Sequence, residues 1–181
     1  MQDVTAPKLA KAEQRRVQEQ DTEKAAIQID QLPLADAIKT IKGSGARKMV
    51  VFSDPACGYC KRLEPELDKL DNVTIYTFLV PFQGEAKPIA IWCANDRQLA
   101  WRQAMLQNDT SVLTAGASCP HPIDRNLALA QRLKVRGTPT MFFADGRRLD
   151  GYTDVAGIEE RLSMPSPQAG GTSTVSIKEK S

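Results

Sequence analysis

The sequence lacks any long run of apolar residues, and it carries almost no net charge. Apolar residues make up 41% of its 181 positions, but no uninterrupted stretch approaches the roughly 20 residues that a membrane-spanning helix needs. The formal charge of +2 is too small to indicate nucleic-acid binding, and no cluster of Lys and Arg with interleaved aromatic residues supports it. Internal repeats are absent too. These features indicate one globular domain with extensions.

The start of the chain has no apolar segment of the kind found in a signal peptide. Met1, Gln2 and Asp3 lead into a polar segment instead. If the protein is exported, we therefore expect this sequence to be a mature form with an added Met1. The even number of four cysteines suits an oxidising compartment.

Histidine occurs once, at His121, and the four cysteines are unevenly spaced. Cys57 and Cys60 form a C-x-x-C motif, whereas Cys93 and Cys119 lie far from each other. A structural zinc site needs a second, similarly tight pair of ligands, so the spacing favours a redox motif and no metal. A zinc site built from all four cysteines, or a purely structural pair, stays open. His121 is interpreted as an exposed or capping residue without a catalytic role.

The C-x-x-C motif lies between an apolar strand and a helix. The run Met49–Phe52 passes through a short turn into Cys57, and helix-forming residues follow. The first N–H groups of a helix have no backbone partner and favour an anion, so a cysteine at this position is stabilised as a thiolate. Cys57 is therefore the better placed nucleophile, and Cys60, one turn further in, is the natural resolving thiol.

Three helices and a strand are predicted around this motif. The segment from Thr5 to about Ile27 indicates a mostly polar helix, with a solvated helix favoured over a dimerisation helix. Leu32 to Ile41 is predicted to form a short amphipathic helix, before glycines introduce the first core strand. A kink is expected at Pro65, inside the helix that follows the motif, and Val73 to Val80 is predicted to be a strand.

Residues 84–133 are predicted to be largely helical. The expected helices are Lys87 to Cys93, Arg97 to Gln107, and Ile123 to Leu133. A turn-rich link between the last two contains Cys119. Trp92, Trp101 and Met105 are interpreted as core residues rather than as ligands.

The last part of the chain predicts a hairpin and a helix. Asp145-Gly146 supplies a tight turn between two strands, and Val155 to Leu162 forms the helix. The order βαβ followed by ββα predicts an α/β fold with a mixed central sheet and helices on both faces. We expect a polar helical segment over 1–29, a catalytic domain over 30–162 with the helical insertion at about 84–133, and a disordered tail over 163–181.

The motif and the segment Gly137–Thr140 together resemble the thioredoxin-fold oxidoreductases. This resemblance implies a thioredoxin fold, a cis bond between Thr138 and Pro139, and a proline that faces the active-site cysteines. It also implies that Gly58, Tyr59, Thr138 and Pro139 bind substrate, with the backbone of Thr138 pairing with an extended client.

Four segments resemble, more narrowly, the catalytic domain of the DsbC/DsbG periplasmic disulfide isomerases. They are Val51–Cys60, Thr74–Leu79, Ala90–Cys93 and Arg136–Thr140. The resemblance implies a structural disulfide between Cys93 and Cys119, although the residues alone leave two free buried thiols open. It further implies a periplasmic protein without a cofactor that reduces or isomerises non-native disulfides in exported proteins. A membrane reductase of the DsbD type would restore its dithiol.

The sequence departs from the family pattern in two ways. Where thioredoxin has an acidic residue six positions before its first cysteine, this chain has Val51. No room is left ahead of residue 30 for a dimerisation domain, so we expect any homodimer to form through the N-terminal helix. The alternative functions are a DsbA-like dithiol oxidase and a non-catalytic envelope or conjugation assembly module, and the intact Cys57 and Cys60 argue against the latter.

Overall fold

The computed structural model of the chain describes residues 11–14, 28–111, 113 and 118–163. Its centre is a five-stranded sheet with the order β1-β3-β2-β4-β5. The strands are β1 (Ile38–Lys42), β2 (Arg47–Ser53), β3 (Val73–Leu79), β4 (Thr140–Phe143) and β5 (Arg148–Asp150). β2 and β3 are parallel and the other neighbouring pairs are antiparallel, which confirms the predicted mixed sheet.

The sheet is covered by helices whose positions follow the sequence pattern closely. They are α1 (Gly58–Asp68), α2 (Ala86–Trp92), α3 (Arg97–Leu106), α4 (Ile123–Arg132) and α5 (Val155–Leu162). α1 runs through Pro65, and α2 to α4 form the predicted helical insertion. Trp92, Trp101 and Met105 are buried, as expected of core residues.

The central strand β2 fills the core on both faces of the sheet, because successive strand residues point to opposite sides. Val50 and Phe52 pack with residues of β3 and α4, whereas Met49 and Val51 pack with α1 and α5. Phe52 stacks on Phe78 with ring centroids 5.2 Å apart. Such a pair contributes about 0.5–1.5 kcal/mol beyond its buried area. The end of β2, and with it the motif, is thus held in a rigid position.

The prediction of a helix from Leu32 to Ile41 is wrong. Two short 3-10 turns, Ile29–Gln31 and Leu34–Asp36, are followed by β1, which pairs antiparallel with β3. Ile38 is buried whereas Ile41 is 58% exposed, although the predicted helix places both on one face. The β-branched residues suit a strand, and hydrogen bonds to the edge of β3 outweigh the helical spacing of the apolar residues.

Parts of the sequence predictions fall outside the described residues. Residues 11–14 are helical and belong to the helix predicted from Thr5 to Ile27, but the remainder of that prediction and the tail from residue 164 onward lie outside. The division of the chain at residues 29 and 163 stays a prediction. Among the residues described, no helix has the length and apolar character needed to cross a membrane.

Candidate active site

Cys57 is the N-cap residue of α1, at the point where the chain leaves β2. Its backbone is extended, with φ −84° and ψ 123°, and no side chain caps the helix. The N–H groups of the first turn therefore remain available to the Cys57 sulfur. Cys57 and Cys60 are both free thiols, and they are only 6% and 1% exposed.

Asp54 fixes the turn that leads into Cys57. Its carboxylate is fully buried and accepts hydrogen bonds from the N–H of Ala56 at 2.8 Å and of Gln83 at 2.7 Å. The carbonyl oxygen of Asp54 also accepts from the N–H of Cys57 at 3.0 Å. This residue was missed by the sequence analysis. An Asp two residues before a backbone donor in a tight turn is the signal that could have revealed it.

The loop before β4 lies against the Cys57 sulfur. The Thr138–Pro139 bond is cis, and the Cys57 thiol donates to the carbonyl oxygen of Thr138 at 3.4 Å across 81 residues of sequence. Two further hydrogen bonds hold the loop: the Thr140 hydroxyl donates to Gly137 at 2.8 Å, and the N–H of Gly151 donates to Pro139 at 2.8 Å. The structure thus brings together four of the predicted site residues, Cys57, Cys60, Thr138 and Pro139.

The residues between the two cysteines lie at the surface. Tyr59 is 60% exposed, and a Cβ added at Gly58 would meet no atom within 4 Å. The Arg62 guanidinium lies 5.9 Å from the centre of the Tyr59 ring and 4.8 Å from that of Tyr152. Arg62 and Tyr152 were not predicted as site residues. The spacing of Arg62, three residues after Tyr59 on one helix, is the available sequence signal.

Hydrogen bonds stabilise the thiolate form of Cys57. Burial by itself raises the pKa of this thiol, but donation from the Thr138 side chain and from the backbone of Cys60 and Tyr59 outweighs burial. The pKa of Cys57 therefore lies below its ordinary value of 9.0. The Thr138 carbonyl oxygen acts in the opposite direction, because it can accept a bond only from the protonated thiol.

The pKa of Cys60 is shifted in the opposite direction, upward. Its nearly complete burial raises the pKa of the thiol to about 12, against the weaker effect of donors on Ser53, Thr138 and Asp54. At neutral pH Cys57 is thus the reactive sulfur and Cys60 remains protonated behind it. Because the two pKa values are shifted in opposite directions, the Cys57 sulfur can attack a disulfide while the Cys60 thiol stays protonated.

Cys93 and Cys119 form a disulfide with their Cα atoms 5.6 Å apart. It joins the end of α2 to the segment before α4, and both cysteines pack against the apolar cluster that contains Cys57 and Cys60. Since they are bonded to each other, they are not available as zinc ligands. His121 lies before Pro122, the N-cap residue of α4, and accepts a hydrogen bond from the N–H of Ile123 at 3.3 Å.

Comparison with known proteins agrees with this geometry. Residues 34–163 match the family model described as a thioredoxin-like domain. The probable thiol:disulfide interchange protein DsbC of Bordetella pertussis is 41% identical over 76% of this chain and 50% of its own length. The thiol:disulfide interchange protein DsbC of Escherichia coli is 31% identical over 63% of this chain and 50% of its own length.

A solved structure of a disulfide interchange protein has a similar fold. The disulfide interchange protein from Neisseria gonorrhoeae superposes with a TM-score of 0.68 and 36% identity, over 72% of this chain and 96% of that one. This chain spans about half the length of the curated relatives named above. The chain therefore belongs to the thioredoxin-like domain family, within which it is similar to the DsbC-type thiol:disulfide interchange proteins.

Proposed function

We propose that this chain is a thiol:disulfide interchange enzyme that reduces or isomerises non-native disulfides in exported proteins. The observation that carries the proposal is the difference in position and thiol pKa between Cys57 and Cys60. Cys57 lies at the N-terminus of α1 with a lowered pKa, while the buried Cys60 keeps its proton at neutral pH.

The first step is attack by the Cys57 thiolate on one sulfur of a client disulfide. A bond forms between Cys57 and that sulfur, the client disulfide breaks, and the second client sulfur leaves as a thiolate. A thiolate elsewhere in the client can then attack the mixed disulfide and expel Cys57, which completes an isomerisation. Alternatively Cys60 attacks Cys57 and releases a reduced client. A low pKa makes Cys57 a good leaving group in the isomerisation, whereas the client sulfur is the leaving group when Cys60 attacks.

The surface around Cys57 suits an extended client segment. Tyr59 offers an exposed aromatic ring, and the Thr138–Pro139 loop lies directly beside the sulfur. We assign Gly58, Tyr59, Thr138 and Pro139 to client binding, with the backbone of Thr138 as a partner for the client main chain.

The cellular setting is part of the same proposal. The DsbC names of the relatives and the disulfide between Cys93 and Cys119 support an oxidising compartment, which we take to be the periplasm. A reductase of the DsbD type would keep Cys57 and Cys60 reduced there. A homodimer would form through the N-terminal helix.

A refolding assay tests the function. A scrambled multi-disulfide protein is incubated in a glutathione buffer with the wild-type chain, Cys57→Ser or Cys60→Ser, and the mass of each native assembly is recorded. Wild type should restore the native pairings and Cys57→Ser should lose this activity. Cys60→Ser should accumulate mixed disulfides with the client. If the wild type forms disulfides in a reduced client but does not correct wrong ones, the isomerase proposal fails.

A dithiol oxidase is the second candidate, because a lowered Cys57 pKa favours the reduced form and makes the active-site disulfide more oxidising. The redox state of the protein in the cell distinguishes the two functions. An oxidase is held as the disulfide and an isomerase as the dithiol. A non-catalytic assembly module would instead bind its partner equally well after Cys57→Ser.

A further inference from the structure

Arg62 lies between two exposed aromatic rings beside the reactive cysteine. Its guanidinium is 5.9 Å from the centre of the Tyr59 ring and 4.8 Å from that of Tyr152. Tyr59 is 60% exposed and Tyr152 is 37% exposed, and Arg62 is itself an exposed residue. Contacts with two rings restrict the positions that a long arginine side chain takes, so less conformational entropy is lost when a client group binds it.

Both rings are tied to the segments that surround the Cys57 sulfur. Tyr59 lies two residues after Cys57 on α1. Tyr152 follows Gly151, whose N–H donates to the carbonyl oxygen of Pro139 at 2.8 Å. Pro139 belongs to the loop that lies against the Cys57 sulfur. The rings and the guanidinium between them are therefore part of the surface that a client of Cys57 meets.

Arg62 is close enough to Cys57 to contact a client residue near the reacting disulfide. It follows Cys57 by five residues at the start of α1, which is about 7.5 Å along a helix axis. An extended chain covers this distance in about two or three residues. A client bound at Cys57 can therefore present a side chain close to its own cysteine to the Arg62 guanidinium.

The Arg62 guanidinium has no acidic partner within the described part of the chain. Glu66, four residues further along α1, occupies the usual position for such a partner. Both of its carboxylate oxygens are already bound, since Oε1 pairs with Lys69 Nζ at 3.0 Å and Oε2 accepts from the N–H of Val155 at 2.9 Å. The N–H donors of Arg62 are thus available to a client.

Positive charge predominates in the two segments that meet at the Cys57 sulfur. Residues 57–62 and 135–139 contain no Asp or Glu, and their charged residues are Lys61, Arg62 and Arg136. A client carboxylate is attracted to such a surface. Without these cations, the same carboxylate would repel the anionic Cys57 sulfur.

We infer that Arg62 is a specificity-determining residue that binds the carboxylate of a client Asp or Glu within about three positions of the disulfide cysteine. This inference rests on the proposed function and names the clients that the site prefers. A guanidinium offers several N–H donors in one plane, a geometry that matches the two oxygens of a carboxylate. Pairing with Arg62 offsets the repulsion between the client carboxylate and the Cys57 thiolate while the mixed disulfide forms.

Disulfide peptides that differ in one residue test this inference. Each peptide carries one cysteine bonded to the neutral thiol 2-mercaptoethanol, and Glu, Gln or Leu is placed in turn at the three positions on either side. All proteins carry Cys60→Ser, so that the peptide adduct with Cys57 accumulates and its rate of formation is measured by mass spectrometry at low ionic strength. At the most responsive position, we expect the chain with Arg62 to react about three to ten times faster with Glu than with Gln.

Substitutions of arginine assign this preference to Arg62. Arg62→Gln should lower the ratio of the Glu rate to the Gln rate to one or below, and Arg62→Lys should retain part of the preference, because it keeps the charge without the planar donors. Arg132→Gln is the matched control. Arg132 is exposed in the last turn of α4, so this variant removes the same charge elsewhere and should keep the full ratio. Comparing ratios within each protein removes any change in the reactivity of Cys57 itself.

Three results would overturn the inference. The first is a ratio near one in the chain with Arg62, or an unchanged ratio in Arg62→Gln. The second is an equal fall in Arg132→Gln, which would show general charge attraction. The third is a preference for Leu over Glu that Tyr152→Ser abolishes, which would show that the rings bind an apolar side chain.

The refolding assay separates this inference from the proposed function. Loss of refolding by the wild type together with an intact Glu preference would refute only the proposed function. Full refolding activity together with a ratio of one would refute only the role of Arg62.

Discussion

Asp54 and Gln83 are joined by a 2.7 Å hydrogen bond from the backbone N–H of Gln83 to the buried Asp54 carboxylate. This bond links the turn before Cys57 to the loop after β3, while the other carboxylate oxygen accepts from Ala56. One side chain therefore sets the position of the reactive cysteine relative to the neighbouring loop.

Asp54→Asn should destabilise the protein. An amide offers one oxygen, so its NH2 group would oppose one of the two backbone donors, which costs about 1–3 kcal/mol in a buried place. Urea unfolding of the reduced protein measures the change. Asp30→Asn is the control, because Asp30 makes an exposed ion pair with Lys48 and its loss should leave the stability nearly unchanged. Equal stability of the two variants would contradict the anchoring role of Asp54.

Alkylation should distinguish the two free cysteines. Iodoacetamide reacts with thiolates, so at pH 7 the reduced protein should be modified once, at Cys57, because the pKa of Cys57 is lowered and that of Cys60 is about 12. Peptide mass mapping identifies the modified residue. Cys57→Ser should remain unmodified under the same conditions. Modification of Cys60 at a comparable rate would show that the two thiols do not differ as described.

Site residues that are close together in sequence could be predicted from the sequence. Contacts between residues that are far apart in sequence were harder to predict, because only the fold brings them together. Cys57 and Cys60 follow from a strand, a turn and a helix in one short stretch. The contact between Cys57 and Thr138 spans 81 residues, and only resemblance to a family implied it. The hydrogen bond between Trp101 and Glu64 spans 37 residues and has no local signal.

The same distinction explains the error in the fold. The apolar residues from Leu32 to Ile41 are compatible with a helical face, and no local feature excludes a strand. Whether this segment forms a helix or a strand depends on the edge of β3, with which β1 pairs. The helices α2 to α5 have no such strand edge to pair with, and their predicted bounds lie within one residue of the observed ones.

Removing the disulfide between Cys93 and Cys119 should lower stability without changing the redox site. Its loop spans 26 residues, so the chain-entropy relation gives a loss of roughly 3.5 kcal/mol for the double variant Cys93→Ala, Cys119→Ala. Chemical denaturation measures this loss. The redox midpoint of Cys57 and Cys60 should stay at the wild-type value, as measured in glutathione buffers. Unchanged stability would show that this bond does not constrain the unfolded chain.

Strong reductant provides a second measure of the same bond. In a Cys57→Ser, Cys60→Ser background only the Cys93–Cys119 disulfide can be reduced. Reductant should then lower the free energy of unfolding by a similar amount. A much smaller effect would indicate that the alanine substitutions act through packing instead.

Glu64 should make the stability of the protein fall as the pH rises through neutrality. Its pKa is about 7 in the folded protein against an ordinary value of 4.5, so the folded state binds more protons than the unfolded state between these values. The unfolding free energy therefore decreases with pH over this window, by on the order of 3 kcal/mol from this group. Glu64→Gln cannot ionise and should escape the decrease.

The comparison needs urea unfolding of wild type and Glu64→Gln at pH 4.5, 6, 7 and 8, with Glu160→Gln as the surface control. The advantage of Glu64→Gln over wild type should be smallest at pH 4.5 and should grow until about pH 8, whereas Glu160→Gln should track the wild type throughout. A constant difference between Glu64→Gln and wild type would mean that Glu64 titrates alike in the folded and unfolded chains. The hydrogen bond from Trp101 would then act on a carboxyl group that is already half ionised at pH 4.5, and burial would not be raising the pKa of Glu64.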